Sequence, residues 1–409
     1  MDNNSQTSKK NVVLLILVAS LGYFVDIYDL VLFSVIRVQS LKGIGVPDDE
    51  LLSVGVKLIN AQMIGMLIGG ILWGILGDKM GRLKVLFGSI LMYSLANIAN
   101  GFVTDVTTYA IIRFIAGVGL AGELGAGITL VAETMSKEKR GYGTMLVAAI
   151  GLTGAIVAGL IGDKFAWQTA YFIGGGMGLI LLVLRVGVME SKMYDNIAHE
   201  NVVKGDFLML FNNWTRFKKY ISCTLIALPV WFVVGVLITF APEFGKAMGA
   251  TDPLSAGKGI LFTYIGISLG DLLTGILSQV FKTRKKIVIA FLFATLCSIL
   301  LFLFSKGISA NTYHWICVLL GLSTGFWVIF VTIAAEQFGT NLRSTVTTTV
   351  PNFIRGSVVL VTLSFEYLKT PLGIINAGLV VGLATLVIAF IAAFNLEETF
   401  GKDLNYIEE

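Results

Sequence analysis

Six ionisable side chains interrupt long apolar runs of this sequence: Asp26, Asp29, Arg113, Glu123, Asp271 and Arg355. Charge is costly away from water, so such residues mark places where protons, ions or charged ligands are handled. Asp26 and Asp29 are three apart, which puts both carboxylates on one face of a helix. Burial disfavours an ionised carboxylate and a neighbouring guanidinium restores it. A carboxylate–arginine pair that makes and breaks would therefore release and take up a proton. Asp29 with Arg113 is the candidate for that proton-coupling pair; the competing reading is a static buried ion pair that sets helix register. Glu123 lies ten residues past Arg113 and points roughly 80° away from it, toward Asp26 or another helix. A structural hydrogen bond suits Glu123 as well as a substrate role does. Arg355 is the candidate for holding a ligand carboxylate, because its planar fork matches one; otherwise Asp271 and Arg355 neutralise each other or other buried charges. Trp231, Tyr264 and Trp327 are candidates to line the same cavity, with helix packing as the alternative.

The elements that must carry these residues follow from composition. Of 409 residues, 56% are hydrophobic and 14% charged, against about 25% charged in an ordinary soluble domain. The mean hydropathy is +0.83. A soluble fold of this size has no place to bury so much apolar surface, and intrinsic disorder is excluded. A helix needs about 20 apolar residues to cross a bilayer. On that ruler twelve runs appear: 12–38, 51–76, 85–103, 107–133, 142–161, 167–188, 220–245, 259–281, 287–305, 313–337, 345–367 and 371–395. With the N-terminus inside, 20 of the 30 Lys and Arg, Arg185 among them, fall on cytoplasmic segments and eight, Arg37 among them, on the outer side. That bias predicts both termini in the cytoplasm. The polar, basic stretch 189–219 divides the runs six and six. It reads as a cytoplasmic linker between an N-terminal bundle (1–188) and a C-terminal bundle with a short tail (220–409).

The two halves echo each other. Glu133 is followed seven residues later by Arg140, and Glu336 by Arg343, an offset of 203 that also places Gly122 on Gly325. Glu190-Ser191 after the sixth run matches Glu398-Thr399 after the twelfth. Duplicated bundles place a site at their interface near the bilayer midplane and rock around it. The expected fold is therefore an all-α membrane protein, with twelve transmembrane helices in two pseudo-symmetric six-helix bundles.

The turn after the second run reads Gly74-x-x-x-Asp78-Lys79-x-Gly81-Arg82-x-Lys84. Gly81 permits a backbone that a side chain would hinder, Asp78 suits a helix N-terminus, and Arg82 can bridge to a carboxylate at another helix end. This stretch resembles the signature loop of the major facilitator superfamily. Arg113-Phe-Ile-Ala-Gly117 resembles that superfamily's fourth-helix motif, and Glu133 with Arg140-Gly141 its following loop. The endings Glu190-Ser191 and Glu398-Thr399-Phe-Gly401 are similar to those of the sugar-porter and metabolite/proton symporter branches. Gly22-x-x-x-Asp26-Ile-Tyr28-Asp29 leans toward the latter. There are departures: Met189 and Glu397 stand where proline is usual, and Gln279 replaces the aspartate in the second-half copy of the loop. The resemblance implies that the first and fourth helices are neighbours. At ~1.5 Å per residue, Asp29 lies ~13 Å and Arg113 ~9 Å from the outer ends of their spans, a gap that a guanidinium can cover. It also implies that Asp78, Gly81, Arg82, Glu133, Arg140, Glu336 and Arg343 gate the cytoplasmic face, through ion pairs that hold one of two states.

Other motifs fail on context. Gly117-x-Gly119-x-x-Gly122 matches a dinucleotide fingerprint by letters only, since no strand precedes it. No phosphate-binding loop supports an ATP-driven pump, and His199 and His314 are isolated. The reading is thus a transporter and not an enzyme, with no cofactor, metal or nucleic-acid partner. It sits as a monomer in the cell membrane and moves a small hydrophilic metabolite, with a lean to an organic anion or zwitterion, by proton symport. Four central carboxylates against two arginines also suit a cation. A proton-coupled exporter of drug- or siderophore-like compounds is the alternative.

Overall fold

In a computed structural model of the chain, which describes residues 9–80, 82–123, 140–189 and 207–401, each of the twelve apolar runs carries helix within its described residues. In the first half these are α1 (Lys9–Gly43), α2 (Leu51–Met80), α3 (Arg82–Asn100), α4 (Val106–Leu120), α5 (Arg140–Lys164) and α6 (Trp167–Met189). The second half is more broken. Its seventh run comprises α7 (Trp214–Leu225), α8 (Leu228–Phe232), a π-helical turn over Val233–Ile238 and α9 (Ala241–Met248). Pro229 and Pro242 each stand in the first turn of a segment, where a missing N–H costs nothing. Then follow α10 (Ala256–Val280), α11 (Lys285–Phe304), α12 (Ala310–Thr324), α13 (Trp327–Glu336), α14 (Thr340–Gly356) and α15 (Val358–Asn395). Gly373, at φ 75°, breaks α15 into the eleventh and twelfth spans.

One boundary is corrected. The stretch expected as linker up to residue 219 already carries a 3₁₀ turn over Phe207–Leu210 and the start of α7 at Trp214. Asn213 caps α7 by accepting the Thr215 and Arg216 N–H groups, which extends the helix beyond its apolar stretch.

Packing repeats between the halves. In the first, α1 lies on α5 and α2 on α4; in the second, α10 lies on α12. The α2–α4 seam depends on glycine at Gly65, Gly69 and Gly117, where a Cβ would strike Phe114 O, the Val118 backbone and Gln62 O. The α10–α12 seam has Gly266, Gly270 and Gly321 against Val318 O, Leu322 O and Thr263 O. The offsets are 201 residues along one helix and 204 along the other. Close backbone approach of this kind is how helices associate where lipid removes the usual hydrophobic drive. The halves meet where α5 packs on α10 and where α2 packs on α14 and α15. Large apolar side chains such as Leu95, Ile180, Ile276 and Phe394 are exposed on the lateral surface, as a lipid-facing surface requires.

Candidate functional site

The site is organised along one stripe of α1. Gly22, Asp26, Asp29, Phe33 and Arg37 follow each other at three- and four-residue steps, so all face the bundle interior. Each meets a different partner.

At the N-terminal end of the stripe, Arg185 of α6 makes a two-point ion pair with Glu123, with Nη1 donating to Oε2 at 3.1 Å and Nη2 to Oε1. A Cβ at Gly22 would overlap both Arg185 Nη2 and Glu123 Oε1, so the glycine makes room for the pair. This corrects two expectations. Arg185, assigned to the cytoplasmic charge tally, is buried, and Glu123 pairs with it across the bundle, not with Asp26. Glu123 stands just past a break in span 4. The α4 helix stops at Leu120, and the carbonyls of Val118 and Gly119 accept from Trp73 Nε1 and Ser89 Oγ, both at 2.6 Å.

The second half breaks at the matched position, Gly325, between α12 and α13. There Gly325 O accepts from Thr274 at 3.0 Å and Asp271 Oδ1 accepts the Val328 N–H at 3.2 Å. Asp271 therefore caps the N-terminus of α13 and does not pair with Arg355. Paired interruptions in corresponding spans are the structural pointer to a transport site.

At the middle level, Arg355 of α14 reaches across the halves and donates from Nη2 to Asp26 Oδ2 at 3.3 Å. Both side chains are fully buried. Arg355 Nε and Nη1 and Asp26 Oδ1 have no hydrogen-bond partner within the protein. Arg355 also lines a small cavity of about 30 Å³ between the halves, with Tyr23, Ile27 and Leu152 on one side and Val230, Trp231, Val234, Tyr264, Ile267 and Trp327 on the other. Trp231 and Trp327 meet edge to face with centroids 6.2 Å apart. The sequence candidates Trp231, Tyr264, Trp327 and Arg355 thus share one cavity wall, with Asp26 behind it. Tyr23, one turn before Asp26's neighbour Ile27, belongs to the wall as well.

One turn further, Asp29 is buried and neither of its oxygens has a hydrogen-bond partner. Gly174 of α6 passes close to Oδ1. Arg113 is in electrostatic reach of Asp29 but forms no ion pair with it. Its guanidinium donates instead to Gln62 Oε1 of α2 and sits 4.6 Å over the Phe33 ring. Gln62 and Phe33 hold it about a turn outward of Asp29, which is why the expected pair is apart here.

At the C-terminal end of the stripe, Arg37 is fully buried. Its Nη2 lies 2.7 Å from both Glu243 oxygens, while Nη1 donates to Leu51 O at 2.9 Å and Nη2 also to Thr239 O at 3.2 Å. Phe240 lies beneath it at 4.6 Å. Sequence reasoning missed this tie by counting Arg37 with the outer loop. The signal was present, since Arg37 is eleven residues past Asp26 and so on the same face. Buried Ser94, Asn97 and Asn100 on α3 were missed too, although their three-residue steps form a polar stripe within an apolar run.

At the opposite end, Glu336 bonds Arg284 at 3.5 Å and accepts from Thr399 Oγ1 at 2.6 Å. Glu398 accepts from Thr283 Oγ1 and from the Arg284 and Lys285 N–H groups. Burial opposes the charge on Glu398, yet the Thr283 and backbone hydrogen bonds hold its carboxyl below the usual range. Of the other expected gating residues, Gly81 and Glu133 and the side chains of Asp78, Arg82, Arg140 and Arg343 lie outside the described residues.

Comparison with known proteins agrees with this architecture. The family model described as Major Facilitator Superfamily matches residues 14–362. A putative niacin/nicotinamide transporter, NiaP, of Bacillus subtilis (strain 168) is 27% identical over 80% of this chain and 81% of its own length. The niacin transporter NiaP of Acinetobacter baylyi (strain ATCC 33305 / BD413 / ADP1) is 25% identical over 81% of each. The crystal structure of a D-xylose-proton symporter superposes with a TM-score of 0.71 at 16% identity, covering 96% of this chain and all of that one, and so shares the fold. A duplicated helical bundle with a cavity at its seam, matched by the family model over most of its length, belongs to the Major Facilitator Superfamily: the chain is a multi-pass transporter of small metabolites in the cell membrane, and not an enzyme.

Proposed function

We propose that the chain carries a small organic anion together with protons through the cavity between its halves, and that this anion is a flat aromatic carboxylate. The observation that carries this reading is Arg355, a fully buried guanidinium on a wall otherwise made of aromatic and aliphatic side chains. Such a fork binds a carboxylate through two parallel hydrogen bonds. Tyr23, Trp231, Tyr264 and Trp327 supply faces and edges for a ring. The NiaP relatives transport, by name, a pyridine carboxylate, which the same chemistry would hold.

The coupled proton falls to the carboxylates of α1, Asp26 on Arg355 and Asp29 near Arg113. In this scheme the substrate and a proton enter from outside, the halves rock about the seam, and both leave on the cytoplasmic side, where the termini lie. Alternating access of this kind requires contacts that differ between two states. Arg37–Glu243 at one end and the Glu336–Arg284–Thr399 cluster at the other are suited to that work.

The test is proton flux into pyranine-loaded proteoliposomes. Acidification on adding nicotinate or benzoate, and none with sugars or cationic amines, is the expected result. Acidification with sugars or cations alone overturns the anion reading. Uptake of labelled carboxylate without any acidification overturns the coupling.

A further inference from the structure

Resting on the anion reading above, we propose that Asp26 and the substrate carboxylate compete for one guanidinium, that of Arg355, and that Asp26 takes the coupled proton when the substrate displaces it.

Three buried Arg–carboxylate pairs join separate elements along the α1 stripe, and they differ in quality. Arg37 puts Nη2 2.7 Å from both Glu243 oxygens and donates to two backbone carbonyls as well, with only Nε unpartnered. Arg185 grips Glu123 at two points. Arg355 makes one hydrogen bond to Asp26, at 3.3 Å, long for a charge-assisted bond, which is normally about 2.7–2.9 Å. Its Nε and Nη1 and Asp26 Oδ1 stay unpartnered. Among the described residues, this slack pair is also the one of the three whose arginine lines the cavity. A carboxylate entering the cavity can take the fork at two points, which Asp26 does not, so the exchange is favourable to the guanidinium.

The exchange leaves Asp26 with no counter-charge. Arg185 is paired with Glu123, and Arg113, held by Gln62 over Phe33, faces Asp29 and not Asp26. The other titratable groups in electrostatic reach are Asp29 and Tyr23 on α1, Glu123 beyond α4, Tyr93 on α3 and Tyr264 on α10, with Asp271 behind Tyr23. None of them is a cation. An uncompensated buried carboxylate is unstable, so a proton delivered from water forms an O–H bond on Asp26. No other bond changes. One guanidinium thereby links one anion to one proton. Because Asp26 and Arg355 belong to opposite halves, the same exchange dissolves a tie between them.

The experiment is the pH dependence of nicotinate and benzoate binding to the purified full chain, in the wild type, Asp26→Asn and Asp29→Asn. Linkage of one proton to one anion makes the wild-type Kd rise about tenfold per pH unit across the range in which the proton is taken up. Asp26→Asn, which removes the competitor, is expected to bind with a pH-independent Kd, tighter than wild type at the alkaline end. A variant that is merely damaged would bind more weakly at every pH. Retention of the wild-type slope in Asp26→Asn overturns the proposal, and loss of the slope in Asp29→Asn alone moves the proton to Asp29. Should Asp26→Asn fail to fold, proton uptake by the wild type on mixing with nicotinate in weakly buffered detergent decides: about one proton per anion supports the exchange, and none overturns it. Absence of any carboxylate binding by the wild type overturns the anion reading itself.

Discussion

Arg37 and Glu243, 206 positions apart in the chain, meet at 2.7 Å and tie the C-terminal end of α1 to α9. Arg37 is fully buried and Glu243 19% exposed, so the pair is sealed on the first half and reachable on the second. Breaking a buried pair by removing one partner costs roughly 3–5 kcal/mol. Glu243→Gln is therefore expected to favour the state open at this end. Spin labels placed on the two halves at that end should report longer distances in the variant. Unchanged distances would mean that the backbone carbonyls of Leu51 and Thr239 suffice to hold Arg37.

Arg355→Lys keeps the charge and loses the fork. Hydrogen bonds to charged groups contribute about 1.5–3 kcal/mol, so binding of nicotinate should weaken by roughly ten- to a hundredfold. Isothermal titration of the variant checks this. Equal affinity would place the carboxylate elsewhere.

Gly22→Val forces a side chain into the space held by Arg185 and Glu123. Overpacking of this kind costs about 1–3 kcal/mol, and here it also strains a buried ion pair. A lowered melting temperature in detergent is expected. Gly176, beside which a Cβ would meet nothing within 4 Å, should accept alanine without such a loss.

Gly117 and Gly321 occupy matched places in the two helix seams, each against a carbonyl oxygen, Gln62 O and Thr263 O. Leucine at either should destabilise its own half to a similar degree. Limited proteolysis, read half by half, distinguishes the two. Loss in one half only would show that the repeated seams do not do equal work.

The Glu398 carboxyl is held below its ordinary range by Thr283 and backbone N–H groups, against the effect of burial. A carboxylate of depressed folded-state affinity for protons stabilises the fold above its unfolded value, near 4.5, and that stabilisation is lost as pH falls through the lower folded value. Thermal melting of the wild type should therefore drop on acidification below about pH 4.5. Glu398→Gln should start lower at neutral pH and fall less steeply.

Span number, the division into halves and the duplication were legible without coordinates, because lipid imposes length and hydropathy on every crossing segment. Gly122 and Gly325, matched by the 203-residue offset, stand at the paired helix breaks, which their apolar surroundings did not announce. Trp231, Tyr264, Trp327 and Arg355, singled out in the sequence, line one cavity. Partner choice among the charges was another matter. Asp26, Asp29, Glu123 and Asp271 are equivalent to a reader of hydropathy, and each guanidinium reaches several of them. Helix rotation and crossing decided that Arg355 meets Asp26, Arg185 meets Glu123, Arg113 meets Gln62 and Asp271 caps α13. Those rotations are set by van der Waals fit between helices far apart in the chain, through features such as the Gly22 gap beside Arg185, and no local pattern encodes that fit.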